Sequence, residues 1–468
     1  MKTIFEKSEA GQKAYSLPKF DDHFTPPASL LRKAPLNLPE VSELNLTRHF
    51  SALAERNMAI DKNFYPLGSC TMKFNPRINE KAAMLPDFVN THPLADEELV
   101  QGNLMVIRDL IAFLADITGF ADGTLLPNAG AQGEYVGIRL IQSYHQKNRS
   151  DKDEILVPDA AHGTNPASAR MAGYKIVSLK TSHSGDIDLD ELRSKVSAKT
   201  AGLMLTNPNT LGLFSSNILE IASILHEHDA LLYYDGANFN PMLCCVKPGE
   251  MGFDVMHINL HKTFSTPHGG GGPGSGPVLC SEKLKLFLPI PWISSDLKIV
   301  EEDPLSMGRI ASFHGNFAVY LRAYQYCLLH GKKGLRRLGE IAVLNANYLK
   351  KHIEALFNVP FKMPCMHEFV VQADRFYPEI KALDLAKRFL DYGVHSPTVY
   401  FPQIVKECLL IEPTEAESLS TLDRFIEILK QIVEECETNP ELVKTAPHKM
   451  PVGRLDETKA NRELKLKH

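Results

Sequence analysis

The spacing of apolar positions changes character three times along the chain. Residues 1–80 are rich in Pro, Asn and charge, with short helical pieces such as 45 to 57, and hold too few apolar positions for a core of their own. That pattern predicts an arm laid over another surface. From 97 onward "EELVQGNLMVIRDLIAFLADITG" repeats apolar residues at helical spacing and stops at a glycine, which predicts a helix opening the main domain. Short apolar runs then follow: "EILVP" at 154–158, "YKIVSL" at 174–179, "AGLMLT" at 201–206, "ALLYYD" at 230–235, "DVMHINL" at 254–260 and "GPVLC" at 276–280. Runs of this length, separated by helical stretches such as 217–228, predict an α/β domain with a mostly parallel sheet covered by helices on both faces. After about 316 the character turns helical, and "KALDLAKRFLDYGV", "QIVKECLLIEP" and "LSTLDRFIEILKQIVEEC" predict a smaller α+β C-terminal domain. The expected division is an arm at 1–80, a large domain at 81–325, a small domain at 326–440 and a polar tail at 441–468.

A length of 468 residues exceeds what one compact core holds, which agrees with two domains. The net charge of −5 gives no basic footprint, so nucleic acid and anionic membranes are not expected partners. No apolar run approaches the roughly 20 residues that span a bilayer, and "MKTIFEKSEAGQKAY" lacks the apolar core of a signal peptide. A cytoplasmic protein is expected. The eight cysteines form no CxxC pair and Cys244 and Cys245 are adjacent, a pattern that predicts free thiols.

Ligands of open α/β sheets bind beyond the carboxyl ends of the strands. Polar residues of one theme stand at those ends. His162 follows the first run, "TNPNT" with Thr206, Asn207 and Thr210 ends the third, Asp235 with Ala237 two positions on ends the fourth, and His261 and Lys262 end the fifth. "NAGAQGEY" at 128–135 leads into a helix, so the backbone N–H groups of Gly130, Ala131 and Gln132 could hold a phosphate. An aspartate can keep a ring nitrogen protonated, and a lysine in a partly desolvated pocket can lose its proton and condense with an aldehyde. Phosphate, pyridinium and aldehyde together describe pyridoxal 5'-phosphate. His162 would stack on its ring, and Thr206, Asn207 or Thr210 would reach its phenolic oxygen. Taken singly, each feature has a plainer reading: a solvated lysine, an Asp-Gly turn, an "NPNT" turn, a structural histidine. Their order after successive strands raises them. The glycine-rich stretch "HGGGGPGSGP" lies between two runs of one sheet, where a linker has no place, and close backbone approach to a ligand or neighbouring subunit explains it better. "HINLH" has a zinc-like spacing, but on a strand its histidines would stand about 13 Å apart. No metal is expected.

The segment "DGANFNPMLCCVKPGEMGFDVMHINLHKTFSTPHGGGGPGSGP" closely resembles the lysine region of the glycine-cleavage P-protein family, glycine dehydrogenase (decarboxylating). "YPLGSCTMKFNPRIN", "PNAGAQGEY" and "AAHGTNPASARMAGY" extend the resemblance, from about residue 50 almost to the end. It implies the aspartate-aminotransferase type of fold, with Lys262 as the Schiff-base residue and Lys262, Asp235 and His162 as catalytic residues. It further implies decarboxylation of glycine with transfer of the aminomethyl group to the lipoyl arm of H-protein. His261 is a candidate for phosphate or proton handling, and Cys70 either lines the entrance as a redox-sensitive thiol or is a buried inert one. The length fits the lysine-bearing half of the two-chain form, which implies a partner subunit and a heterotetramer with two of each. Another pyridoxal-phosphate-dependent decarboxylase or aldolase, or a noncatalytic scaffold subunit, are the alternatives.

Overall fold

Apolar runs of four to seven residues bury both faces only inside a layered sheet. The computed structural model, which describes residues 1–18, 26–34, 36–148 and 151–464, has such a sheet at its centre. Its strands are β1 (Asp122–Thr124), β2 (Glu154–Pro158), β3 (Lys175–Leu179), β4 (Thr200–Thr206), β5 (Leu231–Gly236), β6 (Val255–Ile258) and β7 (Val278–Cys280), in the order β1-β7-β6-β5-β4-β2-β3. Neighbours from β2 to β6 pair in parallel, while β7 is antiparallel to both β6 and β1. Six strands therefore run one way and β7 alone opposes them. Strand β1, the sequence Asp-Gly-Thr, carries no apolar run and was not expected; its register with β7 forms it.

One expected strand is corrected. The run at 254–260 stops at Ile258, and Leu260–Thr263 turns into a short helix. Leu260 N still bonds Ser275 O. His261 and Lys262 thus ride on a helical turn beyond the strand rather than on the strand itself.

Alternation along the strands sorts side chains into two layers. Leu203 and Leu205 of β4 and Leu232 and Tyr234 of β5 meet the Gln101–Thr118, Leu189–Lys195 and Ile218–Glu227 helices. Met204, Leu231 and Tyr233 face the Gly130–Lys147 and Thr164–Met171 helices on the other side. The Gly130–Lys147 helix lies close to the sheet because a Cβ at Gly137 would stand 2.3 Å from the Tyr233 ring and one at Gly133 2.7 Å from Gly276 O. The Gln101–Thr118 helix ends, as its sequence predicts, on a left-handed glycine, Gly119 at φ +75°.

A hairpin of β8 (Trp292–Ile293) and β9 (Ile299–Val300) follows the sheet. The smaller layer holds β10 (Phe369–Gln372), β11 (Thr398–Val399) and β12 (Cys408–Ile411), antiparallel in the order β10-β12-β11, under the Ala382–Asp391 and Leu419–Thr438 helices. The Phe317–Ile353 helix joins the two layers. Broken at Gly331 (φ +56°), it buries Val319, Tyr320 and Ala323 in the large core and Ala346, Leu349 and Ile353 in the small one. The boundary expected at 325 falls inside it.

The arm takes two courses. The described residues of 1–60 keep most side chains exposed, whereas 64–79 thread between the layers. Phe64 enters the small core, Leu67 bridges Ile411, and Ser265 Oγ donates to Phe74 O (3.0 Å). Among the described residues no helix is long and apolar enough to cross a membrane, and all eight cysteines are unpaired.

Candidate active site

Because β2, β4, β5 and β6 are parallel, their carboxyl ends open on one side, and the polar residues that follow them line one cavity of about 300 Å³. His162, Thr206, Thr210, Asp235, Ala237, His261 and Lys262 are in its wall, with Gly130 and Ala131 at the start of their helix. A Cβ on Gly130 would stand 2.2 Å from Asn259 Oδ1, so glycine here lets the helix start meet the residue that ends β6. The first-turn N–H groups of Gly130, Ala131 and Gln132 have no intrahelical acceptor.

Two expected residues lie outside the wall. The Gln132 side chain accepts from Asn128 N and donates to Ile310 O, both at 2.7 Å, so only its backbone is near the helix start. Asn207 is fully buried; its Oδ1 accepts from Ser215 N (2.9 Å) and its carbonyl accepts from Tyr234 Oη, which makes it a brace for the loop after β4. Of the three candidates for a phenolic oxygen, Thr206 and Thr210 remain. Their hydroxyls donate to Asp235 Oδ2 (3.2 Å) and Ala160 O (2.6 Å) respectively.

Asp235 is almost fully buried, and its oxygens accept from Asn165 Nδ2 (2.9 Å), Thr206 Oγ1 and Ala237 N (3.2 Å). Burial would raise its pKa, but His257, Asn165, the Ala237 N–H and Lys262 together hold it below the usual carboxylate range. It is an anion in the floor of the cavity. The β5–β6 register sets Asp235 beside His257, whose Nε2 lies 3.5 Å from Asp235 Oδ1. Burial first keeps the His257 ring neutral, and Tyr233 Oη donates to its Nδ1 (2.6 Å), so its proton sits on Nε2, facing the carboxylate.

A second chain orients His162. Its Nδ1 is 2.9 Å from Thr164 Oγ1, which is 2.7 Å from Glu134 Oε1, while Ser168 Oγ donates to Glu134 Oε2 (3.2 Å). Burial, with the charge of Asp235 next, raises Glu134 to about 8. Thr164 Oγ1 donates to Glu134 Oε1, and Thr164 N donates to His162 Nδ1 (3.3 Å), which leaves the His162 proton on Nε2. Burial also keeps His162 uncharged, and it lowers His261 to about 3, with His268 and Lys262 adding repulsion.

Lys262 has no ion-pair partner among the described residues. Cys70 and Ser69, from the arm, complete the opposite wall, and burial raises the Cys70 thiol to about 11, which disfavours the thiolate at neutral pH. The glycine stretch is exposed: Gly269 to Gly272 all have left-handed φ, and a Cβ on Gly270, Gly271 or Gly272 would meet nothing of this chain. Gly269, Gly274 and Gly276 need glycine for close approach, to Pro273 O, Asn128 O and Ala129 O respectively.

Sequence reasoning missed Glu134, Thr164, Asn165, His257, Asn259 and His268. Glu134 was within reach, since it lies four residues after Gly130 in the same quoted motif and shares a helix face with it. His257 could have been found from the parallel register that pairs it with Asp235.

The Glycine cleavage system P-protein family model matches residues 13–294, and a Glycine dehydrogenase, C-terminal domain, model matches 338–449. The chain belongs to the glycine cleavage system P-protein family. A probable glycine dehydrogenase (decarboxylating) subunit 2 of Pseudothermotoga lettingae is 53% identical over 98% of this chain and 98% of its own. The protein of the same description in Chloroherpeton thalassium is 51% identical over 99% and 97%. Among solved structures, a glycine decarboxylase (P-protein) in inhibitor-bound form superposes with a TM-score of 0.72 at 18% identity, covering 87% of this chain and 93% of that one. Lactobacillus brevis glutamate decarboxylase gives 0.67 at 13% over 93% and 98%. At those identities the structural matches establish the shared fold, while the family rests on the sequence matches.

Proposed function

We propose that this chain is the lysine-bearing subunit of a pyridoxal-phosphate-dependent glycine decarboxylase that passes the aminomethyl group to the lipoyl arm of an H-protein. The observation that carries the reading is a lysine without an acid partner, Lys262, in one cavity with a buried anionic Asp235 and a helix amino terminus. The residues fit the cofactor. The helix start offers free N–H groups to a phosphate, Asp235 offers a carboxylate to a ring nitrogen, and Asn259 Oδ1, on a cavity-lining residue, is buried without a partner.

Bound there, pyridoxal phosphate supplies an aldehyde for amines and a ring that accepts the electron pair left when CO2 departs. The chain's own residues do the rest. Lys262 brings its amine to the cavity from the turn after β6. Asp235, held ionised by its hydrogen bonds, would keep a proton on the ring nitrogen and so favour the electron sink. His162, fixed through Thr164, would pack against the ring and offer Nε2–H. The neutral state of His162 and His261 spares the site two positive charges that would otherwise compete for Asp235.

The arm supports a partner subunit. Tyr15, Leu17 and Leu30 are 74%, 81% and 77% exposed, apolar surface that a second chain would cover. A chain of the same fold lacking the lysine, two of each in a heterotetramer, fits that need. Eight unpaired cysteines favour the cytoplasm.

The test is exchange of labelled bicarbonate into the carboxyl group of glycine by the chain with its partner subunit and lipoylated H-protein. Exchange that requires H-protein is expected. Carboxyl exchange or release from other amino acids without H-protein would instead indicate a different decarboxylase or aldolase. No bound cofactor spectrum even with the partner present would indicate a scaffold.

A further inference from the structure

The wall opposite Lys262 is held by two acids that no step above uses. Glu368 precedes β10 and Glu412 follows β12, and since Phe369 pairs with Ile411 the antiparallel register sets the two carboxyls side by side at the end of the small sheet. Both are fully buried, and one oxygen of each lies with a ring nitrogen of His367 inside a circle of 4.8 Å. Neither has a lysine or arginine within ion-pair distance among the described residues. Instead they hold the arm: Ser69 N donates to Glu368 Oε2 (2.6 Å), while Thr71 N (3.0 Å) and Thr71 Oγ1 (2.6 Å) donate to Glu412. Asn238 Nδ2, from the loop after β5, donates to Glu368 Oε1 (3.1 Å) and links the clamp to the cavity. Ser69 (φ +68°) and Thr71 (φ +48°) are left-handed, a conformation that a β-branched residue keeps only when its surroundings fix it.

We propose that Glu368 and Glu412 work as one positioning unit that shares a proton and, through it, clamps the Ser69–Thr71 loop as the wall of the cavity facing Lys262. Glu412, both of whose oxygens accept from Thr71, is the ionised member, and Glu368 carries the proton. Two buried carboxylates side by side would repel, and one proton held by the pair removes the repulsion. His367 does not supply that proton. Its Nε2 is 3.9 Å from Glu412 Oε1, neither ring nitrogen has a partner, and burial, with Lys262 and Lys73, lowers it to about 3. Burial raises Glu412 to about 7, and burial, then the charge of Glu412, raises Glu368 well above the usual carboxylate range. The other charged groups around the pair are Lys262 on the turn after β6 and Glu415 after β12, with the Cys70 thiol on the loop itself. A divalent cation is a poorer fit, because every carboxylate oxygen already accepts a protein donor.

The clamp stands whether or not Lys262 carries the cofactor; its value for the reaction rests on the function proposed above. A carboxyl raised in the folded state loses its contribution as pH rises through its folded pKa; the shared proton sits on Glu368, so the loop loosens as pH rises through the raised pKa of Glu368. Iodoacetamide alkylation of Cys70, read by peptide mass spectrometry on the full chain without cofactor, reports loop opening independently of the lysine. Glu368→Ala and Glu412→Ala are expected to raise the rate about tenfold, and Glu368→Gln, whose amide mimics the protonated acid, to stay within about twofold of wild type. Wild type should accelerate as pH rises through the raised pKa of Glu368 more steeply than thiolate formation alone, and Glu368→Gln should lack the excess. Thr71→Val, which removes only the hydroxyl donor, serves where the alanine variants do not fold and should also raise the rate. Equal rates in the Gln and Ala variants would overturn the proposal. So would unchanged rates in folded Ala or Val variants, or a stoichiometric divalent metal in the wild type that Glu412→Ala loses.

Discussion

The two walls of the cavity are built by opposite means. The large-domain wall comes from consecutive strand ends, each placing one polar residue after an apolar run, with Asp235, His261 and Lys262 separated by only 27 positions of chain. The facing wall comes from the arm, held by acids from the small sheet some 300 positions away, with |i−j| of 299 for Ser69–Glu368 and 341 for Thr71–Glu412. On the proposed function one wall carries the groups that react; the other carries groups that hold. Substitutions should therefore separate activity from stability according to which wall they touch.

The widest separation is expected at Lys262. Replacing it by alanine should lower glycine–bicarbonate exchange on the order of 10³-fold or more while leaving the thermal midpoint nearly unchanged, because the amine ties down nothing. An equal loss in both measurements would dissolve the distinction between the walls.

Lys73 is the converse case. It is buried, bonded to Glu415 (2.6 Å), Asn240 Oδ1 (3.0 Å) and Thr263 O (2.9 Å), and so joins arm, large domain and small domain. Lys73→Met leaves Glu415 buried and unpaired, which should cost about 3–5 kcal/mol in denaturant unfolding, and adding Glu415→Leu should recover much of it. If the double variant were as unstable as the single, the ion pair would not be what joins the three parts.

Asp235→Asn keeps the shape of the floor and removes its charge. A fall in exchange of about 10²-fold is expected, with a stability change much smaller than that of Lys73→Met. The smallest effect belongs to Glu134→Gln, whose amide oxygen can still accept from Thr164. Exchange should stay within about threefold of wild type, whereas Glu134→Leu, unable to accept, should lose more. Equal activity of the two would show that His162 is oriented by something else.

The same contrast explains what could be read from the chain. Strand runs, the glycine at the end of the first long helix and the residues after each run are local signals, and they located Lys262, Asp235, His162, Thr206 and Gly130 in one cavity. Where the local signal was ambiguous, tertiary pairing decided: "DVMHINL" reads as one strand, yet Asn259 ends it and Lys262 rides a helical turn. Asn207 reads as a polar residue at a strand end, and only the return of Ser215 N shows that its side chain is spent inside the loop. Glu368 and Glu412 were beyond reach. Each looks like an acid at the edge of an apolar run, and only the β10–β12 register brings them together under the arm.

The central claim is that the cavity's free lysine is the cofactor's attachment point. Purified chain with its partner subunit and added pyridoxal phosphate, reduced with borohydride and digested, should yield a single phosphopyridoxyl-modified peptide carrying the label on Lys262, and Lys262→Ala should yield none. A label on Lys73 or any other lysine, or labelling undiminished in Lys262→Ala, would contradict the account.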